Sequence, residues 1–216
     1  MKLVLFLAVL VNATLAKADV VYSQTSPNGN SFDITDYRLA DDFTLPASAT
    51  IGEVQFWYQA QYQTDLTAVT WAFYADNAGM PGSVLDSGTV TSPLTGFDTA
   101  SGFFFADVPA GPLALADGSR YWLELHAGTS LTDTAGLTVS WAAVDDNSTL
   151  DAQQNLLLGI PETPVGFSGY NQYAFELSST TAATPEPSLR LLLLLSIAAL
   201  AAFQMVKRIR PTKTSH

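Results

Sequence analysis

Apolar and polar residues alternate through most of the chain between residues 19 and 177. The clearest example is segment 51–62, in which apolar or aromatic residues take every second position: Val54, Phe56, Tyr58, Ala60 and Tyr62. Glutamate and glutamine fill most of the positions between them, and Trp57 is the exception on that polar face. A period of two is typical of a strand with one buried and one solvated face.

The same signal recurs in six further segments, at residues 36–45, 68–75, 102–108, 120–126, 136–144 and 172–177. Turn-forming residues separate them, most clearly in segments 76–82 and 116–119. This region has no amphipathic helix pattern and no clean repeat. We therefore predict an all-β fold, an antiparallel, jelly-roll-like β-sandwich, with a closed barrel as the less favoured alternative.

Both ends of the chain depart from this alternation. Lys2, the apolar run 3–11 and the small residues Ala16 and Ala18 on either side of Lys17 are typical of a cleavable secretory signal. Near the other end, residues 191–206 carry no charge and give about 24 Å of helix, which reaches across a bilayer if Leu189 joins it and the flanking Arg190 and Lys207 extend to the interfaces.

These segments predict five parts of the chain. They are a signal peptide (1–18), an acidic β-sandwich ectodomain (19–178), a polar linker (179–187), one transmembrane helix (188–206) and a basic cytoplasmic tail (207–216). The positive charges Lys207, Arg208 and Arg210 resist translocation, so we expect the ectodomain outside and the tail inside.

The linker contains Pro185, Glu186 and Pro187, and two prolines around one residue keep the backbone extended. This tripeptide, the apolar helix and the basic cluster, in that order, resemble the PEP-CTERM sorting signal of Gram-negative bacteria. The resemblance implies a sorting protease of the exosortase type as partner, a single-pass inner-membrane precursor with a periplasmic ectodomain, and a final place at the cell surface or in an exopolysaccharide or biofilm matrix. Arg190 and the absence of glycine in the helix depart from the family pattern, and an ordinary single-pass anchor is the alternative.

Charge is distributed unevenly. All 20 acidic residues lie between residues 19 and 189, together with only two basic residues, Arg38 and Arg120, so this region has a net charge of −18. Such a surface repels phosphate backbones, which argues against nucleic acid and favours cations, neutral sugars or basic surfaces as partners. The chain has no cysteine, which excludes disulfides, thiolate catalysis and cysteine-based zinc sites.

No catalytic motif stands out, and we predict that the protein is not an enzyme. His126 is the only histidine of the ectodomain, and its place at a strand end is typical of a surface residue. Trp57, among polar neighbours, is the candidate for an exposed sugar-stacking residue. Asp145, Asn147 and Asp151 place side-chain oxygens at alternate positions, and calcium is the best metal candidate. The segment lacks both the turn glycine and the terminal glutamate of helix-loop-helix calcium sites, so a solvated loop is the favoured interpretation and we predict no metal or cofactor.

Parts of the ectodomain also resemble β-sandwich domains of anchored or secreted bacterial proteins, which are similar to carbohydrate-binding modules. The segments that carry this resemblance are 40–43, 71–82 and 121–123. Three functions follow as hypotheses: a non-enzymatic surface or matrix protein, a carbohydrate-binding module stabilised by calcium, and a glycan-active enzyme with a carboxylate pair.

Overall fold

The structure is a computed structural model that describes residues 18–133, 138–145, 151–155, 163–164 and 172–182. These residues form fourteen strands and one short 3-10 helix, Gln63–Asp65. The strands are β1 (Ala18–Gln24), β2 (Pro27–Asp33), β3 (Tyr37–Thr44), β4 (Ala49–Ala60), β5 (Ala68–Asp76), β6 (Pro81–Thr91), β7 (Leu94–Asp98), β8 (Phe103–Leu115), β9 (Arg120–His126), β10 (Val139–Val144), β11 (Asp151–Asn155), β12 (Thr163–Pro164), β13 (Gln172–Tyr173) and β14 (Phe175–Ala182).

The strands make two sheets. The six-stranded sheet has the order β12-β11-β3-β9-β5-β6, and the eight-stranded sheet has the path β1-β14-β4-β10-β13. In the larger sheet β8 also pairs with β4, β7 pairs with β8, and β2 pairs with β10. Every strand pair with a defined register is antiparallel. The prediction of an all-β, antiparallel, sandwich-like fold is therefore confirmed.

One apolar core lies between the two sheets. The six-stranded sheet contributes inward side chains from β3, β9 and β5, among them Leu39, Phe43, Leu123, Leu125, Trp71 and Phe73. The eight-stranded sheet contributes side chains from β4, β8, β10, β13 and β14, among them Val54, Phe56, Tyr58, Val108, Trp141, Tyr173 and Phe175. Because inward and outward residues alternate along each strand, the opposite face of each sheet is free to carry polar groups.

Several details agree with the alternation. Trp71 and Trp141 lie on the apolar side of the alternating segments 68–75 and 136–144, and they are 4% and 0% exposed. The predicted turn at 76–82 joins β5 to β6 with a hydrogen bond from the Asn77 amide to the Met80 carbonyl, 2.8 Å long. The predicted turn at 116–119 joins β8 to β9, and Gly118 adopts a positive φ of 68° there.

Other details need correction. The alternation did not predict β1, β2, β6, β7, β11 or β12. The ectodomain does not end at residue 178, because β14 continues to Ala182 and Ser179, which is 6% exposed, pairs with Ile51 of β4. The first four residues of the predicted linker are therefore part of the sheet.

Almost all described residues belong to one compact unit, Ala18–Thr181. The predicted signal peptide up to residue 17 and the predicted helix at 188–206 lie outside the described residues. Within the part of the chain that the structure describes, no helix has the length and apolar character needed to cross a bilayer.

Candidate functional site

The outer face of the six-stranded sheet carries a connected set of polar side chains, which we call the outer cluster: Arg38, Asp42, Tyr74, Asp76, Arg120, Trp122 and Glu124. Strand alternation explains its position. Leu39 and Phe43 of β3 point into the core, so Arg38 and Asp42 point away from it, and the β3–β9 register places Asp42 opposite Trp122. The β5–β9 register places Tyr74 opposite Trp122 as well. Three strands thus bring together residues that are far apart in the sequence.

Glu124 is the centre of the outer cluster. Its carboxylate accepts a 2.8 Å hydrogen bond from Nη2 of Arg38 and further bonds from Nε of Arg38 and the hydroxyl of Tyr74. The same Arg38 nitrogen lies 3.1 Å from the Tyr74 hydroxyl oxygen. Glu124 is 1% exposed, and such burial of a carboxylate requires both a counter-charge and hydrogen-bond donors. Arg38 and Tyr74 supply both.

A second ion pair joins the same strands. Nε of Arg120 lies 3.2 Å from a carboxylate oxygen of Asp42, which is 2% exposed. The indole nitrogen of Trp122, itself fully buried, donates to Asp76 over 3.0 Å. Polar contacts on this face therefore link β3, β9 and β5 across their whole width.

Two acidic residues of the outer cluster lie on one face of adjacent strands, and a glycan-active enzyme would need such a pair. Asp42 and Glu124 are diagonal neighbours, since Glu124 lies opposite Ala40, and the Cα atoms of diagonal neighbours are about 7–8 Å apart. Both are closed off from solvent, however. Leu131 packs over the apolar members of this face, Ala40, Ala72, Tyr74 and Trp122. In this state a sugar ring has no access to either carboxylate.

The expectation that Trp57 is exposed is wrong. Alternation correctly placed it on the outer face of β4, but Phe105 of β8 lies directly opposite and Phe103 packs against it, which leaves 7% exposed. Its indole nitrogen donates to Asp98 over 3.2 Å. Hydrogen bonds from the Ser101 hydroxyl, the Ala100 amide and this indole lower the pKa of Asp98. Trp57 is a packing residue in this fold.

Exposed aromatic residues lie elsewhere. Tyr62 is 61% and Phe97 is 52% exposed, and the alternation singled out neither as a ligand-binding residue. Phe97 continues a row of aromatic rings from the core, with centroid distances of 5.5 Å to Phe104 and 5.6 Å from Phe104 to Tyr58. Burial raises the pKa of Tyr58 to about 12, and its hydroxyl donates to the Gln63 carbonyl. The row ends in solvent at Phe97, which belongs to the edge strand β7.

The calcium candidates are only partly described. Asp145 is exposed, and its carboxylate accepts a 2.6 Å hydrogen bond from the Asn28 side chain. Asn147 and the side chain of Asp151 lie outside the described residues. Across the described ranges, no group of three or more His, Cys, Asp or Glu side chains is arranged to hold a metal ion.

His126 differs from the expected surface histidine, because it is fully buried. Its two ring nitrogens lie near the carbonyl oxygens of Tyr37 and Asp133. The sequence offered one signal for this, namely that His126 continues the outward-facing positions of Trp122 and Glu124 on β9. The burial itself depends on loop 127–133, which no local pattern predicts.

The sorting motif Pro185, Glu186 and Pro187 and the basic residues Lys207, Arg208 and Arg210 lie outside the described residues. The chain matches no family model, and no curated protein matches it either.

Proposed function

We propose that this chain is an exported, non-enzymatic protein of the cell surface or extracellular matrix, sorted through its C-terminal segment. One observation carries the proposal: Pro185-Glu186-Pro187, the uncharged run 191–206 and the cluster Lys207, Arg208 and Arg210 follow one another in that order. The proposal includes the signal peptide at 1–18, the single transmembrane helix at 188–206 and a protease of the exosortase type as the partner that cuts the precursor.

The free energy of transfer supports this topology. Residues 191–206 are favourable in lipid because none is charged, whereas each arginine or lysine at the centre of a bilayer costs about 2.5–3.5 kcal/mol on insertion scales. The basic cluster therefore stays on the side of synthesis while the acidic region is exported. The two prolines before this run favour an extended backbone by their ring geometry, and an extended segment is what a protease cleft accepts.

The fold supports an ectodomain that serves as a binding domain or as a structural component of the matrix. A jelly-roll-like winding is part of the proposal, since the chain passes repeatedly between the sheets, for instance from β3 to β4 and from β4 to β5. The carboxylate pair of the outer cluster is closed to substrates, and the acidic surface suits neutral polysaccharide better than polyanions. With Trp57 buried, the reason to assign sugar binding to that residue is removed.

The test is the C-terminal mass of the mature protein. The full chain is expressed in a host that has an exosortase, and mass spectrometry is applied to the protein from the membrane, the medium and the matrix. We expect the mature protein to lack the helix and tail and to be enriched in the matrix. Replacing both motif prolines, Pro185→Ala with Pro187→Ala, should leave the full-length precursor in the membrane.

Pro211→Ala is the matched control, because this proline follows the basic cluster and lies outside the motif. It should be processed like the unchanged chain. Mature molecules that all keep the intact tail would contradict the sorting proposal, and equal processing of the double proline variant would contradict the role of the motif.

A further inference from the structure

The pairing between β2 and β10 is interrupted by a bulge in β2. Pro27 lies opposite Val144, and the next defined pair is Ser31 with Ala142, so three residues of β2 lie opposite a single residue of β10. Gly29 is the middle one of the three. It is exposed, it has a φ of +95°, and a Cβ added there would meet nothing within 4 Å. Its backbone therefore has room to rotate that a residue within the ladder lacks.

The side chain before this glycine is held at both of its polar atoms. Nδ2 of Asn28 donates to a carboxylate oxygen of Asp145 over 2.6 Å, and Oδ1 accepts from the backbone amide of Asn30 over 2.9 Å. The two atoms are distinguished by their partners, because an ionised carboxylate only accepts and a backbone N–H only donates. The bond to Asp145 ties the bulge to the residue that follows β10.

Asn28-Gly29 is the one Asn-Gly pair of the chain, and such a pair can react with its own backbone. The Gly29 nitrogen attacks Cγ of Asn28 and forms a C–N bond, while the Cγ–Nδ2 bond breaks. Nδ2 leaves as ammonia with the proton that the Gly29 nitrogen loses. The product is a five-membered succinimide ring, and water opens it at one carbonyl to aspartate or at the other to isoaspartate.

The surroundings of Asn28 favour both steps. Negative charge develops on Oδ1 during the attack, and the Asn30 amide already donates to that oxygen. The missing side chain of Gly29 lets its nitrogen approach Cγ. Asn28 also lies in the wall of a surface cavity of about 440 Å³, which segment 23–28 forms with Val144 and Asp145. Water therefore has access to the ring that the first step produces.

We propose that Asn28 is a site of spontaneous deamidation and that the product loosens the bulge from the end of β10. An aspartate at this position cannot donate to Asp145, so two carboxylates would repel each other where a hydrogen bond now holds the chain. Isoaspartate would also insert one more carbon into the backbone. Because ammonia is lost, each molecule would change once and keep the change. This inference does not depend on how the protein is sorted.

Peptide mapping by tandem mass spectrometry, on the full-length protein incubated at neutral pH, tests the reaction. Asn77 is the internal control, because it is also exposed in a turn but is followed by alanine. We expect Asn28 to gain the mass difference between a carboxylic acid and its amide, as a mixture of aspartate and isoaspartate. It should do so about tenfold faster than Asn77, which corresponds to a barrier lower by about 1.4 kcal/mol. Conversion of Asn28 no faster than that of Asn77 would overturn the proposal.

A glycine variant tests the role of the bulge. Gly29→Ala should slow the conversion of Asn28 by about tenfold, because a Cβ hinders the rotation and the approach of the nitrogen. Gly102→Ala is the matched control, since Gly102 is another exposed glycine with a positive φ, +79°, and open space around it. It should leave the conversion unchanged. An unchanged rate in Gly29→Ala would contradict the proposed mechanism.

The effect of the product is tested without waiting for the reaction. Asn28→Asp should make the amide hydrogens of β2 exchange several-fold faster than in the unchanged chain, as measured by mass spectrometry. Combining it with Asp145→Asn should restore slow exchange, because the two residues then exchange the roles of donor and acceptor. Unchanged exchange in Asn28→Asp, or no recovery in the double variant, would overturn the loosening.

Discussion

Glu124 lies on the outer face of a sheet, where solvent normally meets charged residues, yet it is 1% exposed. Its charge is tolerated because Arg38 and Tyr74 donate to it from the two neighbouring strands. Removing one partner of such a buried pair leaves an uncompensated group in a medium that solvates it poorly. The buried charges of the outer cluster are therefore tolerated only while each of them keeps all of its partners.

We predict that Glu124→Gln lowers the free energy of unfolding by about 3 kcal/mol, at the lower end of the range for buried pairs because part of Arg38 reaches solvent. Urea denaturation followed by tryptophan fluorescence measures this. Glu176→Gln, on the half-buried outer face of β14, should change the stability by less than about 0.5 kcal/mol.

A double change separates charge from packing in the same cluster. Replacing the pair by apolar residues, Arg38→Met with Glu124→Leu, removes both charges and should recover most of the lost stability. If the double variant were less stable than Glu124→Gln alone, the pair itself would be a net stabilising interaction, contrary to this account.

Trp57 and Glu124 show what a residue pattern can and cannot predict. The period of two placed Trp57 on the correct face of β4, because a strand side is a local property. Whether that side is covered depends on Phe105, which the β4–β8 register places opposite, 48 positions along the sequence. Likewise Glu124 meets Arg38 across 86 positions. Strand pairing determines the exposure and the partners of a side chain on the outer face. The register of that pairing cannot be inferred from the local pattern of a single sequence.

At the scale of elements, the strands found by alternation are mainly central. β3, β4, β5 and β9 have neighbours on both edges, and each contributes side chains to the core. Their alternation of apolar residues is therefore clear in the sequence. β6 and β7 lie at sheet edges and are rich in Gly, Ser, Thr and Asp. Their strand structure comes from pairing with β5 and β8 and leaves little trace in composition.

β8 contains a bulge that depends on one glycine. The β4–β8 register shifts between Ile51 and Glu53, and Gly111 adopts a φ of +85° beside this shift. A Cβ at Gly111 would lie 2.7 Å from the Ile51 carbonyl oxygen, which belongs to the paired backbone and cannot move aside. A bulge of this kind bends and twists the strand that carries it.

We predict that Gly111→Ala lowers the free energy of unfolding by about 2–3 kcal/mol, from the left-handed backbone and the backbone contact together. Thermal denaturation by circular dichroism measures this. Gly102→Ala is the control, because Gly102 has a φ of +79° and a Cβ added there would meet nothing within 4 Å, so only the backbone cost of about 1 kcal/mol applies. Equal losses in both variants would show that the contact with Ile51 contributes nothing.

At the scale of the whole molecule, negative charge dominates. Between residues 19 and 189 the net charge is −18, and only two arginines offset the carboxylates. Both arginines are already used in ion pairs of the outer cluster. The rest of this surface repels itself, which costs stability in the compact state.

We predict that the midpoint of thermal unfolding at neutral pH rises by several degrees when salt increases from about 10 mM to about 150 mM, since the screening length falls from about 30 Å to about 8 Å. Differential scanning fluorimetry with matched concentrations of a neutral osmolyte as the control measures this. A midpoint that falls with salt would mean that the few ion pairs outweigh the general repulsion.

The position of β14 has a mechanical consequence. This strand leads directly toward the Pro-Glu-Pro segment, and it lies between β1 and β4 instead of at an edge. A load applied to the chain beyond Ala182 along the strand direction would act on hydrogen bonds on both sides of β14 at once, whereas an edge strand can be peeled away one bond at a time. Of the described strands, β14 would therefore resist such a load better than an edge strand would.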